Sequence, residues 1–167
     1  MQANVKSGAA RGAGGAPLTE LELGAWRGML VAHAALTHRL DADLRARHGI
    51  ALSAYEALML LGTSPSGRLR VSELSRGALL SISGMSRMID RLERDGLVRR
   101  EACEEDGRGA EVALTDAGRE LLAAARASHL QAVREGFLEH FDDGELAVLA
   151  DAWRRVTPAG RRRARGA

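Results

Sequence analysis

The sequence predicts a mainly α-helical protein with one small β-hairpin. Three observations support this fold class. Apolar residues spaced three or four apart run through residues 18–48 and again through residues 116–157, as in amphipathic helices. The segment between them carries two short helical patterns followed by two strand-like runs. A chain of 167 residues with 46% hydrophobic residues is long enough to bury a core.

The first helix has a well-marked start. Thr19 and Glu22 have the spacing of a capping box, and Leu18 and Leu23 that of a hydrophobic staple. We expect this helix to end before Gly49. Its apolar face consists of Leu21, Ala25, Met29, Ala32, Leu36, Leu40 and Leu44.

Capping patterns also mark the other flanking helices. Ser53 and Glu56 predict the start of a short second helix, which ends in the turn-forming residues 62–67. Thr115 opens a helix near the end of the chain, and Asp142 with Glu145 caps a last one. These long helices carry more apolar surface than one small bundle covers. We therefore expect residues 18–48 and 116–157 to form a homodimer interface, with an intramolecular bundle as the alternative.

The central segment, residues 50–115, has the order of a winged helix-turn-helix. Residues 68–70 read as a strand, and Ser72 as the N-cap of the next helix. After a short connection, Ser81 or Ser83 caps a second helix that ends at Gly96 and buries Met85, Met88, Ile89 and Leu92. Residues 97–101 and 111–114 then form the wing strands, and residues 103–109 form the tip.

The second of these helices carries the residues suited to reading DNA. Ser83, Gly84, Ser86 and Arg87 fall in its first turns, which in this motif meet base edges in the major groove. Further along the helix, Arg91 and Arg94 are placed for phosphate contact. At the wing tip, Arg108 lies between two glycines and suits a minor groove. The alternative is a solvated helix stabilised by salt bridges such as Asp90–Arg94.

These residues resemble the MarR (multiple antibiotic resistance regulator) family over roughly residues 18–156. The matching segments are residues 67–74, 83–93 and 96–100, then Asp106-Gly107-Arg108 followed by Leu114-Thr115 and Gly118. The resemblance implies a triangular homodimer with interlocked terminal helices, and transcriptional repression relieved by a small molecule. It makes Arg108 the wing-tip arginine and Asp106 its support. The acidic wing base, with Glu101, Glu104 and Glu105, departs from the family pattern.

The resemblance also implies an effector pocket between the dimerisation helices and the DNA-binding lobe. Arg27 would offer a cation to an anionic or phenolic effector, beside aromatic walls. The candidates are Trp26, Arg27, His33, Thr37 and Tyr55, with the aromatic pair serving as ordinary core anchors in the alternative interpretation.

The net charge of +2 conceals an uneven distribution. Lys6, Arg11 and four arginines between 161 and 165 lie in the tails, which leaves 18 basic and 22 acidic residues in between. We expect residues 1–17 to be a disordered arm and residues 158–167 a flexible basic tail. DNA affinity must therefore rest on the local arrangement of arginines in the folded body.

Other classes of protein are disfavoured. No phosphate-binding loop, nucleophile elbow or paired-cysteine motif is present, so we expect no enzyme and no cofactor. Zinc stays open only as a site shared between chains, with a zinc-responsive regulator as one alternative. A helical adaptor without DNA specificity is the other. One cysteine and no membrane-length apolar run predict a cytoplasmic protein without membrane contact.

Overall fold

The computed structural model describes residues 17–78, 80–102 and 110–156. These ranges form six helices and three strands. The helices are α1 (Glu20–His48), α2 (Leu52–Thr63), α3 (Val71–Gly77), α4 (Ile82–Arg94), α5 (Asp116–Gly136) and α6 (Asp143–Val156). The strands are β1 (Arg68–Arg70), β2 (Val98–Ala102) and β3 (Ala110–Leu114), and a 3₁₀ turn covers Leu138–His140. No helix within the described ranges is long and apolar enough to cross a membrane.

The chain divides into two compact units, Met1–Ala35 and Leu36–Ala167. The described part of the first unit is the beginning of α1. Its predicted capping box is confirmed, because Thr19 N donates to Glu22 Oε2 at 2.9 Å and Glu22 N to Thr19 Oγ1 at 3.3 Å. Large apolar side chains of this unit lie in solvent, namely Leu18, Leu21, Trp26, Leu30 and Val31.

The second unit holds the hydrophobic core. Side chains from the end of α1, from α2 to α5 and from the sheet meet there. The largest fully buried ones are Leu44, Leu58, Leu61, Leu74, Met85, Ile89, Val98 and Val112. The predicted inner face of α4 is confirmed, since Met85, Ile89 and Leu92 are buried and Met88 is half-buried.

The three strands form one antiparallel sheet in the order β1-β3-β2. Ala113 of β3 pairs with Arg68 on one side and with Arg99 on the other. The sheet continues the helix-turn-helix directly, because Leu97 N bonds Leu92 O at 2.9 Å and Gly96 takes a φ of 72°. The predicted strand, helix, helix and hairpin order of the central segment is confirmed.

Two helix starts differ from the sequence prediction. The Ser53–Glu56 capping box is wrong, because α2 begins at Leu52, whose N–H donates to Asp41 Oδ1 of α1 at 2.8 Å. Ser72 is not an N-cap either. The third helix begins at Val71, where the Glu73 carboxylate accepts a hydrogen bond from Arg70 N at 2.8 Å.

The later caps form as predicted. Thr115 Oγ1 accepts from Gly118 N at 3.0 Å and donates to Gly96 O at 2.6 Å, which fixes the start of α5 to the turn after α4. Asp142 and Glu145 form a reciprocal pair at the start of α6, with bonds of 2.8 and 3.0 Å. Exposed apolar residues on α6 include Val148, Trp153 and Val156.

Candidate nucleic-acid interface

The fourth helix, α4, presents different chemistry on each side. It begins at the N-cap Ser81, whose hydroxyl accepts from Gly84 N at 3.1 Å. Its inner face packs into the core through Met85, Ile89 and Leu92. Residues three and four apart share a face, so its polar residues separate into an outward face and two flanks. This is the second helix of the helix-turn-helix.

The flank of α4 that faces the wing carries the acidic residues. Asp90 and Glu93 both bind Arg100 of β2, with Nη2–Oδ1 and Nη1–Oε2 distances of 2.5 Å. Hydrogen bonding to Asp90, with help from the Glu93 charge, raises the pKa of Arg100. The acidic charge of α4 is therefore neutralised from the neighbouring strand.

The outward face of α4 is basic. Arg87, Arg91 and Arg94 are exposed, and among the described residues none of the three forms an ion pair. Arg94 Nε donates instead to the backbone oxygen of Asp90 at 3.3 Å, so the alternative Asp90–Arg94 salt bridge does not form. These guanidinium groups are free to bind an external anion.

The serines and the glycine in the first turns of α4 differ in their exposure to solvent. Ser83 is exposed, with its hydroxyl 3.3 Å from that of Ser81, whereas Ser86 and Gly84 are half-buried. A Cβ at Gly84 would lie 3.0 Å from Ser81 Oγ. Gly84 therefore keeps the cap compact at the helix end that Ser83 and Arg87 share.

The base of the wing is held by ion pairs across the sheet. Glu101 Oε1 accepts a hydrogen bond from Arg99 Nε at 2.6 Å, and Glu101 Oε2 lies 2.9 Å from Arg68 Nε in an ion pair. The acidic wing base noted in the sequence is thus partly compensated at Glu101. The predicted wing residues Asp106 and Arg108 lie outside the described residues.

A separate groove of about 450 Å³ opens between α2, the end of α3 and α5. The Tyr55 ring packs on His129 with centroids 4.5 Å apart, and burial raises the pKa of Tyr55 and lowers that of His129. The His129 Nδ1 atom is buried with no hydrogen-bond partner among the described residues. The lining is Tyr55, Glu56, Met59, Leu60, Thr63, Gly77, Ala78, Arg126, His129 and Leu130.

Only one predicted effector residue, Tyr55, lines this groove. Thr37 is exposed elsewhere on the second unit. Trp26, Arg27 and His33 are exposed on the part of α1 that belongs to the first unit. Within the described ranges no three His, Cys, Asp or Glu side chains gather closely enough to hold a metal ion.

This arrangement of helices and strands is similar to that of known proteins. The sequence pattern of the MarR family matches residues 48–109. AbsC, a MarR family transcriptional regulator from Streptomyces coelicolor, is 34% identical and superposes with a TM-score of 0.80, covering 92% of this chain and 100% of its own. The chain belongs to the MarR family.

Two further relatives are similar over most of the chain. Sco3205 from Streptomyces coelicolor, solved in complex with DNA, is 34% identical with a TM-score of 0.81, over 85% of this chain and 89% of its own. The transcriptional repressor YetL from Bacillus subtilis is 28% identical over 115 residues, which are 67% of this chain and 69% of YetL. The winged helix-turn-helix fold expected for a MarR protein is confirmed.

Sequence reasoning missed two residues of this MarR chain that the structure brings to its candidate sites. No local pattern indicates a role for Arg100, because its partners on α4 lie seven and ten positions away. Arg126 had no signal at all. Its position on the groove depends on how α5 packs against α2, which no local pattern reveals.

Proposed function

We propose that this MarR family regulator is a repressor that binds a pseudo-palindromic operator as a homodimer and releases it when a small molecule binds. The observation that carries the proposal is the basic outward face of α4. Arg87, Arg91 and Arg94 are exposed without ion-pair partners among the described residues, while Arg100 neutralises Asp90 and Glu93. A helix with this charge distribution suits the major groove.

The residues of α4 have distinct roles in this proposal. Ser83, Ser86 and Arg87 contact base edges, with Gly84 allowing close approach, and Arg87 makes a bidentate contact to guanine. Arg91 and Arg94 contact phosphates. Arg108, supported by Asp106, enters the minor groove. Residues 50–115 form the DNA-binding domain, and the protein works in the cytoplasm on DNA without catalysing a reaction.

Exposed apolar residues support a homodimer. On α1 they include Leu21, Trp26, Leu30 and Val31, and on α6 they include Val148, Trp153 and Val156. Apolar surface of this extent is typical of helices that a second subunit covers. Residues 18–48 and 116–157 are the proposed dimerisation helices, so operator half-sites should lie about one helical turn apart.

The groove between α2 and α5 is the proposed effector site. Arg126 supplies the cation that the sequence assigned to Arg27, beside the Tyr55 and His129 rings, which meet at an interplanar angle of 40°. An anionic or phenolic molecule matches this combination of positive charge and aromatic wall. Gly77 and Ala78 also line the groove, so a ligand there contacts the end of α3, immediately before α4.

Selection of bound sequences from a random DNA pool tests the proposal. The wild-type protein should enrich an imperfect palindrome. Arg87→Ala should lose about 1–3 kcal/mol of binding free energy on that site and relax the preference at one base pair in each half-site. Equal weakening of Arg87→Ala on all sequences would contradict base reading. Absence of any enriched sequence would favour an adaptor.

A further inference from the structure

We propose that a second basic surface, a cleft beside α4, binds a backbone phosphate of DNA, with Arg45 of α1 as a contact residue from outside the recognition helix. This inference rests on the proposed DNA-binding function. The cleft has a volume of about 290 Å³ and lies between α4 and the junction of α1 with α2. Arg45 and Ser53 line one wall, and Arg87 and Arg91 line the other.

The charges around the cleft favour an anion. Three arginines line it, against a single lining acidic residue, Asp95. Arg87 and Arg91 have no ion-pair partner among the described residues. Asp41 offsets the charge of Arg45 and Asp95 offsets one more, so a net positive charge remains at the cleft. A phosphate offers several oxygens to such donors, and charge-assisted bonds from arginine to phosphate are strong.

Arg45 is held in place for this role. Its Nε lies 2.6 Å from Asp41 Oδ2, and the other oxygen of Asp41 accepts from Leu52 N at 2.8 Å. Hydrogen bonding to Arg45 and to Leu52 N lowers the pKa of Asp41, so the carboxylate stays charged. Among the described residues the ion pair of Arg45 is made through Nε and not through its Nη groups, and this pair orients the guanidinium before any ligand arrives.

The position of the cleft favours DNA over a free anion. An α-helix with its side chains is about 10–12 Å wide, close to the roughly 12 Å of the major groove, so a helix in the groove has a phosphate strand along each flank. The wing lies on one flank of α4 through Arg100, and the cleft lies on the other. A backbone passing the second flank meets Arg45 and Arg91 together.

The test compares Arg45→Ala with Arg47→Ala in the full-length protein. Arg47 is a matched control because it pairs with Asp43 four residues earlier at 2.7 Å and is as exposed as Arg45, yet does not line the cleft. Binding is titrated on the selected operator and on a scrambled duplex, from about 50 to 200 mM salt. Arg45→Ala should weaken both duplexes equally and lower the log–log salt slope by about 0.9 per protomer.

The controls make the outcome decisive. Arg45→Lys should retain the slope, and Arg47→Ala should match the wild type. Equal slopes for Arg45→Ala and Arg47→Ala would overturn the proposal, as would a loss confined to the operator. Arg45-dependent stabilisation by inorganic phosphate, with the DNA slope unchanged, would mark a free-anion site and overturn it as well. Failure of the proposed function looks different, because the wild type would then bind operator and scrambled duplex alike.

Discussion

Arg100 binds both oxygens of the Glu93 carboxylate, with its backbone N–H at 3.0 Å from Oε1 and its Nη1 at 2.5 Å from Oε2. The same guanidinium reaches Asp90 of α4. One residue of the wing strand thus fixes the strand to the recognition helix and neutralises the acidic flank of that helix. Both the position and the charge of α4 depend on it.

Replacing Arg100 with Gln should therefore weaken DNA binding although Arg100 itself is not a proposed DNA contact. Asp90 and Glu93 become free negative charges beside the phosphates, and we expect a loss of about tenfold at low salt that shrinks as salt screens the repulsion. The free energy of unfolding should fall by only about 1 kcal/mol, because the ion pairs are partly exposed. Titrations at two salt concentrations and urea unfolding measure the two effects.

A double variant separates the charge effect from lost packing. Adding Glu93→Gln to Arg100→Gln removes one of the exposed charges and should restore part of the DNA affinity. If the double variant binds DNA no better than Arg100→Gln, repulsion by Glu93 is not the cause.

Asp41→Ala should lower Tm by a few degrees, because α2 loses the side chain that caps its first N–H group. The lowered pKa of Asp41 means that its stabilising effect is present above the ordinary value of 3.8 and disappears as the pH falls below it. Thermal unfolding followed by circular dichroism at pH 7 and pH 3 measures both effects.

Ser53→Ala is the informative control for that experiment. Ser53 occupies the position that local sequence marks as a cap, yet the side-chain acceptor at this helix start is Asp41. We expect Ser53→Ala to change Tm less than Asp41→Ala does. A larger change in Tm for Ser53→Ala than for Asp41→Ala would mean that Ser53 caps α2 after all.

Gly118→Ala should destabilise the protein by about 1–3 kcal/mol or more. Gly118 is buried in the first turn of α5, and a Cβ there would overlap the backbone carbonyl oxygen of Leu97. Neither group can move without breaking the Thr115 N–Leu97 O bond of 3.1 Å. Chemical denaturation gives the change in free energy.

Gly62→Ala provides the comparison. Its added Cβ would meet Leu122 Cδ2 at 2.6 Å, the end of a side chain that is able to rotate. The loss should be clearly smaller than at Gly118. If both variants lose the same free energy of unfolding, a clash with the Leu97 backbone is no more destabilising than a clash with the Leu122 side chain.

Acidification should destabilise the fold through His129. Burial lowers the pKa of His129 below its ordinary 6.5, so the unfolded chain takes up the proton more readily than the folded one. The contribution of neutral His129 to the free energy of unfolding is therefore fully present above pH 6.5. It decreases as the pH falls towards the pKa of His129 in the folded protein, by at most about 1.4 kcal/mol per pH unit. Urea midpoints at pH 7.5 and 5.5 measure the loss, which His129→Gln should reduce.

The exposed His140 tests whether this pH effect is specific. His140→Gln should keep the full loss of stability between pH 7.5 and 5.5. If His129→Gln and the wild type lose the same stability between pH 7.5 and 5.5, other titrating groups cause the effect.

Local signals predicted the fold well where the partners are near in sequence. Ser81 and Thr115 cap α4 and α5 through N–H groups three residues later, which a sequence displays directly. The α2 cap came from Asp41, eleven residues away in another helix, so the local Ser53 pattern misled. Helical periodicity likewise identified the outward face of α4, whose orientation follows from its buried residues.

The rest of the candidate sites depends on packing between elements. Arg45 borders the cleft only because the α1–α2 junction lies beside α4, and Arg126 borders the groove only because α5 packs on α2. No spacing within either helix indicates those neighbours. The neutralisation of Asp90 and Glu93 by Arg100 likewise depends on how β2 packs against α4.

The tryptophans and the tyrosine report on different parts of the chain in fluorescence measurements. Its two tryptophans, Trp26 and Trp153, have 53% and 40% of their surface exposed, whereas its one tyrosine, Tyr55, is buried in the core. Indole emission will therefore respond to whatever covers α1 and α6, with a blue shift when a second subunit excludes water. Tyrosine emission, in contrast, reports on the core around Tyr55.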